Sequence, residues 1–175
     1  MHAIIHTPRL VLRPPRADDA PLIFERWAQD PEVTRYLTWR PHTSVAETTA
    51  FVQNCIAAWR DGTGYPWVIT AAADGPPIGM IDLRPAGHQA SFGYLLARSA
   101  WGHGYMTEAA REVVARALAE PTVWRVWAVC DVDNLASARV LERVGLEYEG
   151  TLRRAMLHPN LSPEPRDAQL YASVR

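Results

Sequence analysis

The sequence predicts a mixed α/β fold: one twisted, mostly antiparallel sheet with helices on both faces. Three observations predict it. Three short extended runs, separated by turns rich in proline and glycine, occupy the middle of the chain, and strand-to-helix transitions follow them. With 48% hydrophobic residues in a chain of 175, there is core for one domain and little room for two. Residues 1 to 175 are therefore read as a single domain.

Residues 9 to 13 put Leu10 and Leu12 on one side of an extended run, which Pro14 and Pro15 stop. Asp18 or Asp19 caps a helix carrying Leu22, Ile23 and Trp27 on one stripe, and this helix ends before Pro31. Ser44 and Glu47 form an S-x-x-E capping box ahead of Phe51, Val52, Cys55, Ile56 and Trp59, a helical stripe that closes at Asp61 and Gly62. Between these helices, residues 34 to 41 are an aromatic-rich connection without periodicity, either core or pocket wall. Extended runs over 67 to 72, 78 to 83 and 90 to 97 are separated by Asp74-Gly75-Pro76-Pro77 and Pro85-Ala86-Gly87, which predicts an antiparallel meander. The pattern then changes to a helix over 107 to 120 and a strand over 123 to 130. A helix over Leu135–Val144 closed by Gly145 and a last strand near 170 to 174 complete the order. Residues 158 to 165 are a proline-rich loop.

Composition excludes several classes of function. The 18 basic residues balance 19 acidic ones for a net charge of −1, so generic nucleic-acid or anionic-membrane binding is not expected. All 18 basic residues are arginine, which removes Schiff-base and Walker-lysine chemistry; abundant Ala, Pro and Arg fit a GC-rich genome. Cys55 and Cys130 lack metal-ligand or disulfide-framework spacing, so no metal is expected and a reducing compartment fits. Residues 1 to 12 are too polar for a signal-peptide core or membrane span, and a cytoplasmic location is expected.

The most informative stretch runs from Gly93 to Ala109, where a strand enters a glycine-rich turn that opens a helix. Gly102 and Gly104 permit positive φ and leave backbone N–H groups open to a ligand, and the helix N-terminus adds a positive dipole end. The result is an anion site suited to a pyrophosphate, although an ordinary tight turn uses the same two glycines. A dinucleotide fingerprint would need glycine where Thr107 stands, and a P-loop would need lysine. Farther on, Asp131-Val132-Asp133-Asn134-Leu135-Ala136-Ser137 follows a strand and opens a helix, placing Asn134 at the cap and Ser137 one turn later.

Together these motifs resemble the GNAT superfamily of acetyl-coenzyme A-dependent N-acetyltransferases, and within it the Rim-type group that acetylates N-termini of ribosomal proteins. The likeness rests on Gly93-Tyr94-Leu95-Leu96, on Trp101 to Ala109, and on Val132-Asp133-Asn134 through Ser137 to Val140, and it extends from Thr7 to Tyr171. The resemblance implies a GNAT-like fold with acetyl-CoA as co-substrate. It implies that backbone of Leu95, Leu96 and Ala97 pairs with the pantetheine arm. Gly102, His103, Gly104, Tyr105, Met106 and Thr107 would wrap the pyrophosphate. Asn134 would lie at the pantetheine amide and Ser137 near the sulfur. The family favours Gln or Arg where Trp101 stands and a small residue at Met106, so the Met106 side chain must point away from the phosphates.

The reaction so implied is attack of a substrate amine on the acetyl thioester, with the backbone N–H near Leu96 as oxyanion donor. Many GNAT enzymes place Tyr seven residues after the Asn, at Leu141 here, so Ser137 is the expected hydrogen-bond donor to the departing thiolate. Relatives often carry Glu two residues before the Gly-Tyr pair, where this chain has Ser91. Asp82 and His88 are then the base candidates, and Glu108 is expected to favour its helix N-terminus electrostatically. The missing Glu leans towards an α-amine acceptor, which is partly neutral near pH 7.5. Tyr36, Trp39 and Trp67 are candidates for an acceptor pocket, and Arg139 and Arg143 for a 3′-phosphate contact. A protein N-terminus is the expected acceptor. A small-molecule amine, or a non-catalytic acyl-CoA sensor, are the alternatives, and a homodimer is left open.

Overall fold

The computed structural model describes residues 3–72 and 75–175, so the Asp74 part of the expected turn lies outside the described residues. Eight strands form a single sheet in the order β1-β2-β3-β4-β5-β6-β8-β7. The strands are β1 (Ile5–His6), β2 (Val11–Arg13), β3 (Tyr65–Thr70), β4 (Pro77–Ala86), β5 (Gln89–Leu96), β6 (Arg125–Asp131), β7 (Glu147–Met156) and β8 (Arg166–Val174). Among the described residues, β5 and β6 form the one parallel pair; every other neighbouring pair is antiparallel. The helices are α1 (Ala20–Ile23), α2 (Pro31–Thr34), α3 (Val45–Asp61), α4 (Tyr105–Ala119) and α5 (Leu135–Val144).

Side-chain alternation along the strands builds two cores, one per face. Trp67, Ile69, Ile81, Leu83, Phe92, Val126 and Ala128 pack against Met106, Ala109 and Val113 of α4 and Leu141 of α5. Val68 and Met80 pack on the opposite face against Val52 and Cys55 of α3 and Ile23 of α1. Helices on both faces are therefore the observed layering. Cys55 and Cys130 are both free and buried. No helix among the described residues is long and apolar enough to cross a membrane.

Several local expectations need correction. The helix expected at Asp18 or Asp19 is a composite: a 3-10 turn at Ala17–Asp19, then α1, then a π turn at Phe24–Ala28. Pro31 opens α2 rather than merely ending its predecessor, because Asp30 caps it by accepting from the Glu32 N–H at 2.9 Å. The α3 cap is not a reciprocal box. Ser44 Oγ accepts from the Glu47 N–H, but the Glu47 carboxylate reaches past Ser44 to the Thr43 N–H at 2.9 Å and hydroxyl at 2.7 Å. β7 is an additional strand at the sheet edge, which makes β8 the neighbour of both β6 and β7.

Candidate active site

The site is built where β5 and β6 part. Gln89, Ala90 and Ser91 pair with Arg125, Val126 and Trp127, and the ladder then stops. β5 nevertheless stays paired with β4 through Leu96, and β6 with β8 through Asp131. The two parallel strands therefore diverge from Phe92 and Ala128 onward, leaving a wedge between their C-terminal ends with unpaired strand edge on the β5 side.

Register decides which backbone groups face this wedge. The Ala97 N–H donates to the Ile78 carbonyl at 2.9 Å, so Leu95 and Ala97 turn their peptide groups towards β4 and Leu96 turns its own outward. Of the expected run, Leu96 alone thus offers backbone to a ligand in the wedge. This corrects the expectation that all three would pair with it. The Leu96 carbonyl accepts from the Trp101 indole N–H at 2.9 Å, which leaves its N–H as the group facing the wedge. Gly79 permits the close approach of β4 here, since a β-carbon would lie 2.5 Å from the Leu95 oxygen.

At the mouth of the wedge the glycine turn takes its expected form. Gly102 and Gly104 have φ of 78° and 75°, and Gly104 is the N-cap of α4 with no side-chain cap. The first N–H groups of α4 are therefore not capped by a side chain, and no Cβ at either glycine shields them. Met106 is 4% exposed and packs into the α4 core, so its side chain points away from the turn as required. His103 stacks on Tyr105, with ring centroids 5.4 Å apart.

Residues from the N-terminal segment brace the turn across a sequence distance that leaves no local signal. Glu108 accepts from the Thr7 hydroxyl at 2.6 Å, the Arg9 N–H at 2.9 Å and Arg9 Nε at 2.6 Å. Arg9 in turn donates to the His103 carbonyl at 2.9 Å and lies over the Tyr105 ring. Glu108 therefore acts as a clamp and not only as a charge at the helix end. Burial opposes its ionisation, but the bonds from Thr7 and Arg9 outweigh burial and hold its carboxyl below the ordinary range. Beside the turn lies an open groove of about 470 Å³ lined by Arg9, Gly104, Thr107, Arg111 and Arg143. Arg139 is exposed and does not line it.

Across the wedge, Asn134 caps α5 by accepting from the Ser137 N–H at 3.2 Å, and its amide nitrogen supplies two N–H donors for a ligand. Ser137 Oγ is 2.7 Å from the Tyr94 hydroxyl, on the α4–α5 face of the sheet. Tyr94 stands within the Gly93-Tyr94 motif, but no spacing rule ties it to a residue 43 positions later. Leu141, where many relatives carry Tyr, is fully buried core.

The other face of the wedge holds the remaining candidates. Asp82 shares the α3 face with Met80 and lies opposite Gly93 in register. Its side chain, 38% exposed, pairs with Arg84 at 3.1 Å. Burial pushes the Asp82 carboxyl up, and Arg84 partly offsets this. Arg84 also covers Gly93, where a β-carbon would lie 2.6 Å from its guanidinium. Asp82 and Ser137 are therefore on opposite faces of the sheet, and the wedge is the opening between them.

Tyr36 reaches the site, donating to the Asp133 carbonyl at 3.3 Å. Trp39 leans on His42 and Phe51, and Asn160 holds the segment by donating to the Thr34 and Trp39 carbonyls. Two candidates are displaced. Trp67 is fully buried core, its indole donating to the Ala3 carbonyl. His88 is exposed in the β4–β5 turn at the far end of β5, about 20 Å along the strand from Tyr94, too far to act on a group in the wedge.

The geometry agrees with comparisons to known proteins. A family model described as an acetyltransferase (GNAT) domain matches residues 9–147. The N-acetyltransferase YoaA of Bacillus subtilis, itself uncharacterised, is 30% identical over 178 aligned positions that cover all of this chain and 98% of the relative. Among solved structures, the ribosomal L7/L12 α-N-protein acetyltransferase RimL with coenzyme A superposes with a TM-score of 0.86 at 24% identity, covering 98% of this chain and 97% of that one. The microcin C7 self-immunity acetyltransferase MccE, with acetyl-CoA and AMP, gives 0.85 at 20% identity over 96% and 93%. The parted parallel strands, the glycine turn at the head of α4 and the full-length match to a curated relative together place this chain in the GNAT family of N-acetyltransferases, with a Rim-like fold.

Proposed function

We propose that the protein transfers the acetyl group of acetyl-CoA to the α-amine at a protein N-terminus. The observation that carries this reading is the wedge between β5 and β6 with the Gly102–Gly104 turn at its mouth, which offers one outward strand edge and one anion cradle in line. The pyrophosphate meets the N–H groups from Gly102 to Thr107, and the pantetheine arm lies along the β5 edge so that its thioester oxygen, rather than an amide of the arm, meets the Leu96 N–H. Likeness to RimL, an α-N-protein acetyltransferase, supports the acceptor class.

In the transfer, the amine nitrogen forms a bond to the acetyl carbon and the carbonyl electrons move to oxygen, where the Leu96 N–H stabilises them. Collapse breaks the C–S bond, and the sulfur leaves with the electron pair, met by a hydrogen bond from Ser137. The ammonium proton departs on the α3 face, where Asp82 is the carboxylate that takes it through water. An α-amine, with a pKa of roughly 7.7–8.0, needs little help to become neutral.

Coenzyme A release measured against a panel of N-terminal peptides, polyamines and amino acids tests the reading. Peptide α-amines should turn over fastest. Preferred turnover of polyamines or amino acids would replace the acceptor assignment, and acetyl-CoA binding without turnover of any amine would make the protein a sensor.

A further inference from the structure

Resting on the acyl-transfer reading above, we propose that Tyr94 is a positioning residue whose phenol donates to Ser137 Oγ and so commits the serine proton to the leaving sulfur. A serine hydroxyl has one proton to give, and its value to the thiolate depends on where that proton points. In a helix the usual competitor is the carbonyl four residues back. Here that carbonyl belongs to Asp133, and it already accepts from the Tyr36 hydroxyl at 3.3 Å and the Leu135 N–H at 3.0 Å. The nearest remaining partner is the Tyr94 oxygen at 2.7 Å.

Acidity favours the tyrosine as the donor in that bond. A phenol is the stronger acid of the two hydroxyls and gives the stronger hydrogen bond as donor. Burial keeps the Tyr94 phenol protonated, with the Ser137 contact only partly offsetting it, so the donor proton is always present. Stacking on Phe92, with centroids 5.9 Å apart, fixes the ring in place. Cys130 lies in the same cluster: burial pushes its thiol up to about 11 and a side-chain hydrogen bond from Ser137 partly offsets this, so the neutral Cys130 sulfur, a weaker acceptor than a departing thiolate, also lies within the serine's reach. Tyr94 gives up no proton in the reaction; it orients and polarises Ser137 as the C–S bond breaks. The phenol also lies 3.2 Å from the Ser137 carbonyl. Were it to donate there, Ser137 would donate to Tyr94 and the serine proton would point away from the sulfur.

Steady-state kinetics of Tyr94→Phe, Ser137→Ala and the double variant decide between these arrangements, with melting curves to compare folding. Tyr94→Phe should lower kcat about fivefold, the worth of one neutral hydrogen bond, and leave KM for acetyl-CoA and peptide unchanged. The double variant should be no slower than Ser137→Ala, because the tyrosine acts only through the serine. Wild-type kcat in Tyr94→Phe beside an impaired Ser137→Ala overturns this proposal alone, as does a double variant whose losses multiply. Full turnover by Ser137→Ala overturns the serine assignment and this proposal with it.

Discussion

The indole N–H of Trp101 reaches back 2.9 Å to the carbonyl oxygen of Leu96, tying the glycine turn to the last outward-facing residue of β5. Trp101 is 46% exposed, so this bond, rather than burial, holds the ring in place. Trp101→Phe keeps an aromatic ring and removes the donor. The turn then loses its tie to the strand edge, and acetyl-CoA affinity measured by calorimetry should fall about fivefold, as one hydrogen bond warrants. Tighter binding would instead mean that the freed Leu96 carbonyl is itself a ligand of the arm.

The turn makes a second prediction. Gly102→Ala and Gly104→Ala each force a β-carbon onto backbone with φ of 78° or 75°, at a cost of about 1–2 kcal/mol. The β-carbon at Gly102 meets nothing within 4 Å, so its penalty is conformational and should appear in denaturant melts. Both variants should also weaken acetyl-CoA, since each adds a methyl group to the anion cradle. A variant with unchanged stability but lost binding would place the effect in the cradle alone.

How much of this was legible in the sequence follows from what each feature requires. The turn and the Asn134–Ser137 cap are local: glycine for positive φ, a side-chain acceptor for the helix N–H, and both are written in neighbouring residues. The C-caps at Gly62 and Gly145 were legible for the same reason, and both are left-handed. β7 was not, because nearly every residue from Glu147 to Met156 is exposed and no apolar face imposes a period of two. The brace on Glu108 and the Tyr94–Ser137 pair join residues about a hundred and about forty positions apart, and nothing in either partner's local sequence names the other. His88 shows the converse. It stands a few residues from the motif, yet the strand carries it to the wrong end of the site.

Asp82 yields a prediction with opposite signs for stability and activity. Burial raises its carboxyl in the folded state above its unfolded value, against the partial offset of Arg84. A raised carboxyl favours the fold below the unfolded pKa of about 3.9, and that advantage is lost as pH rises through the folded pKa. At neutral pH the fold therefore carries an ionised group it disfavours. Asp82→Asn should be at least as stable as wild type at pH 7, with the difference disappearing in acid. If the carboxylate takes the ammonium proton, the same variant should lose about tenfold or more in kcat. A variant as fast as wild type would remove Asp82 from the reaction.

The carboxylate of Asp131 ends β6 and carries the turn that leads to Ser137. Its side chain is fully buried and accepts from Arg166 Nε at 2.6 Å and Nη2 at 3.0 Å, and from the Asp133 N–H at 2.9 Å. His158 is 2% exposed and lies behind it, Nε2 at 3.6 Å. Burial opposes ionisation of Asp131, but the Arg166 and backbone bonds, helped by the charges of Arg166 and His158, hold its carboxyl below the ordinary range. A lowered carboxyl contributes stability that is present above the unfolded pKa of about 3.9 and is lost as pH falls through the folded value. Asp131→Asn should therefore cost about 3 kcal/mol in urea melts at pH 7, the low end for breaking a buried pair because Arg166 keeps Asp133. Below pH 3 the variant and wild type should converge. Because the same carboxylate orients the Asp133 N–H one turn before Ser137, the variant should also lower kcat at temperatures where it remains folded. A stability loss with unchanged kcat would confine Asp131 to holding β6 against β8.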